Sequence, residues 1–249
     1  PLRSVLIYNS LLFILTEVSP FRAPVVSSSF KEVIAMDEWT SPDPTRMSLL
    51  TIDIQREFQP GFPSGRPENA LAVPAAAAVA RAFREAERPI IHIVRLYLPD
   101  GSNADLCRRS RILSGKPLLL PGSESSQIAL ELLPHPAIVL DHELLLAGRA
   151  QEIGEAEWII YKPRFGAFYR TPLEEHLRRL GVNTLVITGS NYPNCPRATI
   201  YEASERDFRI VAVTDAVSLL DDRGIAELEA IGVLCIPSGE VPDRLLPRR

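Results

Sequence analysis

Between residues 47 and 236 the chain alternates short apolar, β-branched runs with helical stretches, mostly through brief connections. Such a pattern rules out a chain of hairpins. Each strand has to return beside an earlier one by a right-handed helical crossover, which makes the pairing parallel. The strand runs are 48–54, 90–97, 157–161, 183–188, 208–214 and 233–236, and they have the near-continuous apolar character of strands covered on both faces. Helices are expected over 74–87, with Pro74 in the first turn, and over 172–180, 196–207 and 223–231. Together these predict a three-layer α/β/α sandwich: a doubly wound, mainly parallel six-stranded sheet of Rossmann-like type.

The domain expected from this pattern runs over residues 36–240. Residues 1–35 read as an N-terminal arm or start-site extension, because Met36, Asp37, Glu38 and Trp39 look like a domain start. The apolar run at 4–15 is broken by Asn9 and Ser10. It falls short of the roughly 20 residues that a membrane span needs. Residues 241–249 read as a loose, charged, proline-bearing tail. The stretch 98–133, with Pro, Gly and Ser at intervals, reads as a long functional loop or lid.

A chain of 249 residues that is 46% hydrophobic can bury one large core. Its net charge of −4, with scattered Lys and Arg, argues against nucleic acid and against a polybasic membrane contact, leaving a small molecule as the expected partner. The three cysteines, Cys107, Cys195 and Cys235, form no CxxC pair. That argues against a disulfide framework or structural zinc, and a reducing, cytoplasmic compartment is expected. A thiol that matters here would act as a nucleophile.

In this topology ligand chemistry gathers at the carboxyl ends of the strands. Asp53 stands between Ile52 and Ile54, where a purely structural choice would be apolar. Lys162 follows the 157–161 strand directly, and Cys195 follows the loop after Gly189, just before Pro196. Taken singly, each has an ordinary reading: a buried hydrogen-bonded Asp, a snorkelling Lys, a small buried Cys. Together they bring a carboxylate, an ammonium and a thiol to one face, which is the nucleophile–base–orienter arrangement of covalent catalysis. A thiol at a helix start is also expected to have its pKa lowered by the helix dipole.

Three stretches, LLTIDIQREF, YKPRFGAFYRTPLEEHLRRLGVNTLVITG and NCPRATIYEASERDFRIVAVTDAVS, resemble the isochorismatase-like cysteine hydrolases, in order and over roughly residues 47–236. The resemblance implies a triad of Asp53, Lys162 and Cys195. It also implies a cis Ser190–Asn191 peptide and an oxyanion hole from the N–H groups of Asn191 and Cys195. A homo-oligomer, dimer or tetramer, is implied as well. Position near the strand ends nominates Phe58, Arg95, Phe165, Phe168 and Tyr192 as substrate-binding residues, with Asn191 beside them. Nicotinamidases of this superfamily hold a metal with histidines after the second strand. Residues 95–102 here have none, so no metal and no cofactor are expected. Pro196 and the Tyr-Pro-Asn stretch before the nucleophile depart from the family pattern and reshape the pocket wall. The reaction expected is cleavage of a small amide or N-carbamoyl C–N bond through a Cys195 thioester. Vinyl-ether hydrolysis of the isochorismate type and a catalytically idle scaffold are the alternatives.

Overall fold

The computed structural model describes residues 38–116 and 118–246, so the expected arm at 1–35 lies outside the described residues, as does the end of the tail. The strands are β1 (Met47–Ile52), β2 (Ile90–Val94), β3 (Gln151–Gly154), β4 (Glu157–Tyr161), β5 (Thr184–Gly189), β6 (Arg209–Val217) and β7 (Leu234–Ile236). The helices are α1 (Pro67–Glu85), α2 (Leu106–Leu113), α3 (His142–Leu146), α4 (Leu173–Arg179), α5 (Cys195–Ser204), α6 (Asp222–Glu229) and α7 (Val241–Leu245). The sheet order is β3-β4-β2-β1-β5-β6-β7, parallel throughout except for β3 against β4.

Side chains alternate across β1, and both of its faces are dry. Met47 and Leu49 enter one core with Val73, Ala76, Ala80 and Phe83 of α1, while Leu50 and Ile52 enter the other with Leu177 of α4, Ile200 of α5 and Leu228 of α6. The chain first builds outward from β1 through β2 to β4, then crosses to β5 on its other side. The sheet's switch point therefore lies between β1 and β5, and a crevice opens there at the carboxyl ends.

Four features differ from the sequence expectation. The sheet has seven strands, because the short edge strand β3 pairs antiparallel with β4. Helix α1 begins at Pro67, with Pro74 inside it, since the buried stripe already includes Asn69, Ala72 and Val73. The 98–133 stretch contains α2, which seats Ile112 in a small cluster with Tyr97, Ala104, Leu118 and Leu119. The beginning of the expected loose tail is helix α7, which buries Val241 and Leu245 against the first core.

One polar network crosses the α1 side of the sheet. His92 lies 2.7 Å from Thr51 Oγ1 through Nδ1 and 2.7 Å from Glu157 Oε1 through Nε2. Arg84 of α1 clamps the same Glu157 carboxylate with two hydrogen bonds of 2.8 and 2.7 Å and also donates to the Leu132 carbonyl. Each buried polar partner is satisfied by another, as burial demands.

Candidate active site

Just past β1 the backbone N–H of Asp53 still donates to Ile93 O, but its φ of 52° turns the chain into the left-handed region. Aspartate tolerates that region better than most residues. Gln55 then fixes the turn: its side-chain amide donates to Arg95 O (2.9 Å) and Ser126 O (2.6 Å) and accepts from Arg95 N (2.8 Å). Lys162 leaves β4 with its N–H on Val94 O, and its side chain is fully buried, at 0% exposure. Its ammonium lies 2.8 Å from Asp53 Oδ2 and 3.3 Å from Arg164 O.

Cys195 arrives by way of β5. Gly189 packs so closely on β1 that a Cβ there would sit 2.6 Å from Ile52 O and 2.8 Å from Ile52 Cβ, which only glycine allows. The next peptide, Ser190–Asn191, is cis, as the resemblance implied. Asn194 Nδ2 donates to Asn191 Oδ1 at 2.8 Å, and Cys195 is the first residue of α5, 8% exposed. Asp53, Lys162 and Cys195 are thus brought together from three strand ends, and Asp53 Oδ1 is buried without a hydrogen-bond partner.

The electrostatics overturn one expectation. Burial first, and then the neighbouring Asp53 carboxylate, push the Cys195 thiol up to about 11 against the opposing pull of Lys162 and Arg95. Desolvation and a like charge outweigh the helix start, so the resting group is a thiol rather than a thiolate. Arg95 is held charged beside it. Burial alone would lower its pKa, but Tyr97, Asp53, Cys195 and Asp105 raise it. Arg95 Nη1 donates to Asp105 Oδ2 at 2.6 Å, and Nη2 lies 3.9 Å from Cys195 Sγ.

Asp53 and Cys195 open into a cavity of about 460 Å³. Phe58, Arg95, Phe165 and Asn191 line it, as nominated. Phe168 and Tyr192 do not. Phe168 is core, its ring 5.8 Å from Phe208 and its N–H on Glu202, while Tyr192 turns toward α6, where its hydroxyl donates to Gly224 O at 3.3 Å. The sequence reading missed Asn69, Tyr97 and, above all, Arg66, Arg108 and Arg111 on the wall. A signal existed for two of these: Arg108 and Arg111 are spaced i, i+3 and share one face of α2.

The isochorismatase domain profile matches residues 47–234, a span that holds all three strand-end groups. The chain belongs to the isochorismatase family. A solved isochorismatase family protein from Desulfovibrio vulgaris is similar at 30% identity and a TM-score of 0.68, over 81% of this chain and 99% of its own. A probable inactive nicotinamidase of Arabidopsis thaliana is 27% identical over 193 residues, which is 75% of this chain and 89% of that protein. The ureidoacrylate amidohydrolase RutB of Methylorubrum extorquens is 36% identical over a segment of 58 residues, 23% of each chain.

Within this isochorismatase-family chain, no group of three or more His, Cys, Asp or Glu is arranged to hold a metal ion among the described residues. His92 is committed to Thr51 and Glu157 beneath the sheet. None of the described helices is long and apolar enough to cross a membrane.

Proposed function

We propose that this protein is a cysteine hydrolase that cleaves the C–N bond of a small amide or N-carbamoyl compound through a thioester on Cys195. The observation that carries this reading is the division of labour on Asp53. One carboxylate oxygen is fixed by Lys162 at 2.8 Å, and the other is buried and unpartnered next to the thiol. A carboxylate held in this way is a base with one position open.

In the forward half-reaction the Cys195 proton moves to Asp53 as sulfur attacks the substrate carbonyl carbon. Proton transfer neutralises Asp53 and leaves the new negative charge facing Lys162 and Arg95, so the pair of cations favours the attacking state. The N–H groups of Asn191 and Cys195 accommodate the tetrahedral oxyanion. Cys195 opens α5, so its N–H is among the first-turn donors with no acceptor inside the helix. Collapse expels the amine or ammonia, which takes the proton back from Asp53. Asp53 then deprotonates a water, the hydroxide attacks the thioester, and the carboxylic acid leaves as sulfur recovers its proton. Membership of a hydrolase family supports this reading, as does the local likeness to an amidohydrolase. As written, the cycle consumes only water.

The test is a panel of small primary amides and N-carbamoyl compounds scored for ammonia, with intact-mass detection of the acyl-enzyme. The expected result is an adduct on Cys195 and a loss of turnover in Cys195→Ala on the order of 10⁴-fold or more. Ammonia release retained in Cys195→Ala would refute the thioester. Neither acylation nor turnover across the panel would favour the idle scaffold.

A further inference from the structure

The charges around the cavity do not balance. Lys162 is matched by Asp53 at 2.8 Å, Arg95 by Asp105 at 2.6 Å, and Arg111 by Glu57 at 3.7 Å. Two more guanidiniums on the same wall, Arg66 and Arg108, have no carboxylate within ion-pair distance among the described residues. Arg66 is the N-cap of α1, and Arg108 sits in the first turn of α2. Arg111 on α2 donates to Ser64 at 2.8 Å, which ties α2 to the turn that leads into α1. The two unmatched cations therefore flank segments that this bond joins, and neither makes an ion pair or hydrogen bond with Asp53, Lys162 or Cys195 among the described residues. Arg108 also lies over the Phe165 ring, 6.0 Å from its centroid.

We propose that Arg66 and Arg108 form an anion subsite, and that the substrate is a small amide or ureido compound with a carboxylate remote from its scissile carbonyl. This rests on the amide-hydrolase reading above. Unmatched charges on the wall of a concave site focus a positive potential and raise the local concentration of an anionic ligand. The planar fork of an arginine suits a carboxylate in particular. Arg95, the residue nominated from sequence for that task, is already committed to Asp105 and lies beside the sulfur. It serves the reacting end of the substrate, while Arg66 and Arg108 serve the far end.

The experiment uses the full chain carrying Cys195→Ala, so that probes bind without turnover. Malonamate, succinamate and glutaramate are each titrated calorimetrically against the corresponding neutral diamide. At least one acid is expected to bind about tenfold more tightly than its diamide, and the preference should weaken as salt rises from about 20 to about 200 mM. In Arg108→Gln or Arg66→Gln the preference should fall severalfold, with thermal melts confirming that each variant is folded. Equal affinities, no detectable binding of any probe, or a preference that survives the double variant would overturn the proposal. The outcomes for the nucleophile are separate. Acid preference without acylation of the unmodified chain would sink the amidase reading and keep the subsite. Amidase activity indifferent to substrate charge would do the reverse.

Discussion

The raised pKa of Cys195 makes a prediction opposite to the usual one for a catalytic cysteine. At pH 8 a free thiol of pKa about 8.5 is roughly one quarter ionised. A thiol pushed up to about 11 is ionised only to about one part in a thousand. The higher basicity of that thiolate returns about tenfold in intrinsic nucleophilicity. Iodoacetamide should therefore alkylate Cys195 on the order of twentyfold more slowly than a cysteine in an unstructured, blocked peptide at pH 8. Its rate should also climb with pH without the plateau that a free thiol reaches above about pH 9. Because the Asp53 charge is one of the causes, Asp53→Asn should speed alkylation at pH 8. The same substitution should abolish turnover, since the base is gone. Peptide mass spectrometry of quenched time points reads both rates in one sample. A Cys195 that alkylates at pH 7 as fast as the free thiol, or that slows in Asp53→Asn, would refute the reasoning.

Lys162→Met should destabilise the protein by about 3–5 kcal/mol in urea titrations at neutral pH, because it leaves the Asp53 carboxylate buried without its cation. Adding Asp53→Asn should recover most of that loss without restoring activity, so the double-mutant cycle is strongly non-additive. Glu157 contributes to acid stability. Burial would raise its pKa, but hydrogen bonds from Arg84 and His92 outweigh burial and hold it below the ordinary value. A carboxyl whose folded-state pKa is depressed contributes stability above its unfolded value, near 4.3, and loses it as pH falls through the folded value. Glu157→Gln should accordingly cost about 2–4 kcal/mol at pH 7, discounted because Arg84 is 24% exposed, and should flatten the loss of stability below about pH 4.5. Gly189→Ala should lower both stability and turnover, because its Cβ would collide with Ile52 and displace the loop that carries Asn191 and Cys195.

The parts of the fold legible in the sequence were those that burial writes into it. β1, β2, β4, β5, β6 and β7 are covered on both faces or end in the core, so each leaves an apolar run that period alone can find. β3 is a four-residue edge strand, Gln-Glu-Ile-Gly, with no fully buried position, and it leaves no such trace. Pro74 misled for a physical reason: a proline at a first turn and a proline tolerated inside a helix have the same local signature. Only the buried Asn69, Ala72 and Val73 ahead of it decide between them.

The site divides along the same line between what is local and what is assembled. That Asp53, Lys162 and Cys195 meet follows from strand ends and topology, which a linear pattern encodes. Which way a ring turns on a loop does not follow. Phe165 faces the cavity while Phe168, three residues on, faces Phe208, and no periodicity applies to the irregular stretch that holds both. The thiol shows the limit most clearly. The helix start that would lower its pKa is written in the order Cys195-Pro196, but the burial and the Asp53 carboxylate that raise it come from the fold. A thiol kept protonated until a carbonyl is seated does not need to be a free thiolate to act. It needs a base within reach and cations waiting for the charge. The open Asp53 oxygen supplies the first, and Lys162 and Arg95 supply the second. On this account the reactivity of Cys195 is coupled to substrate occupancy, and that coupling is built from tertiary contacts alone.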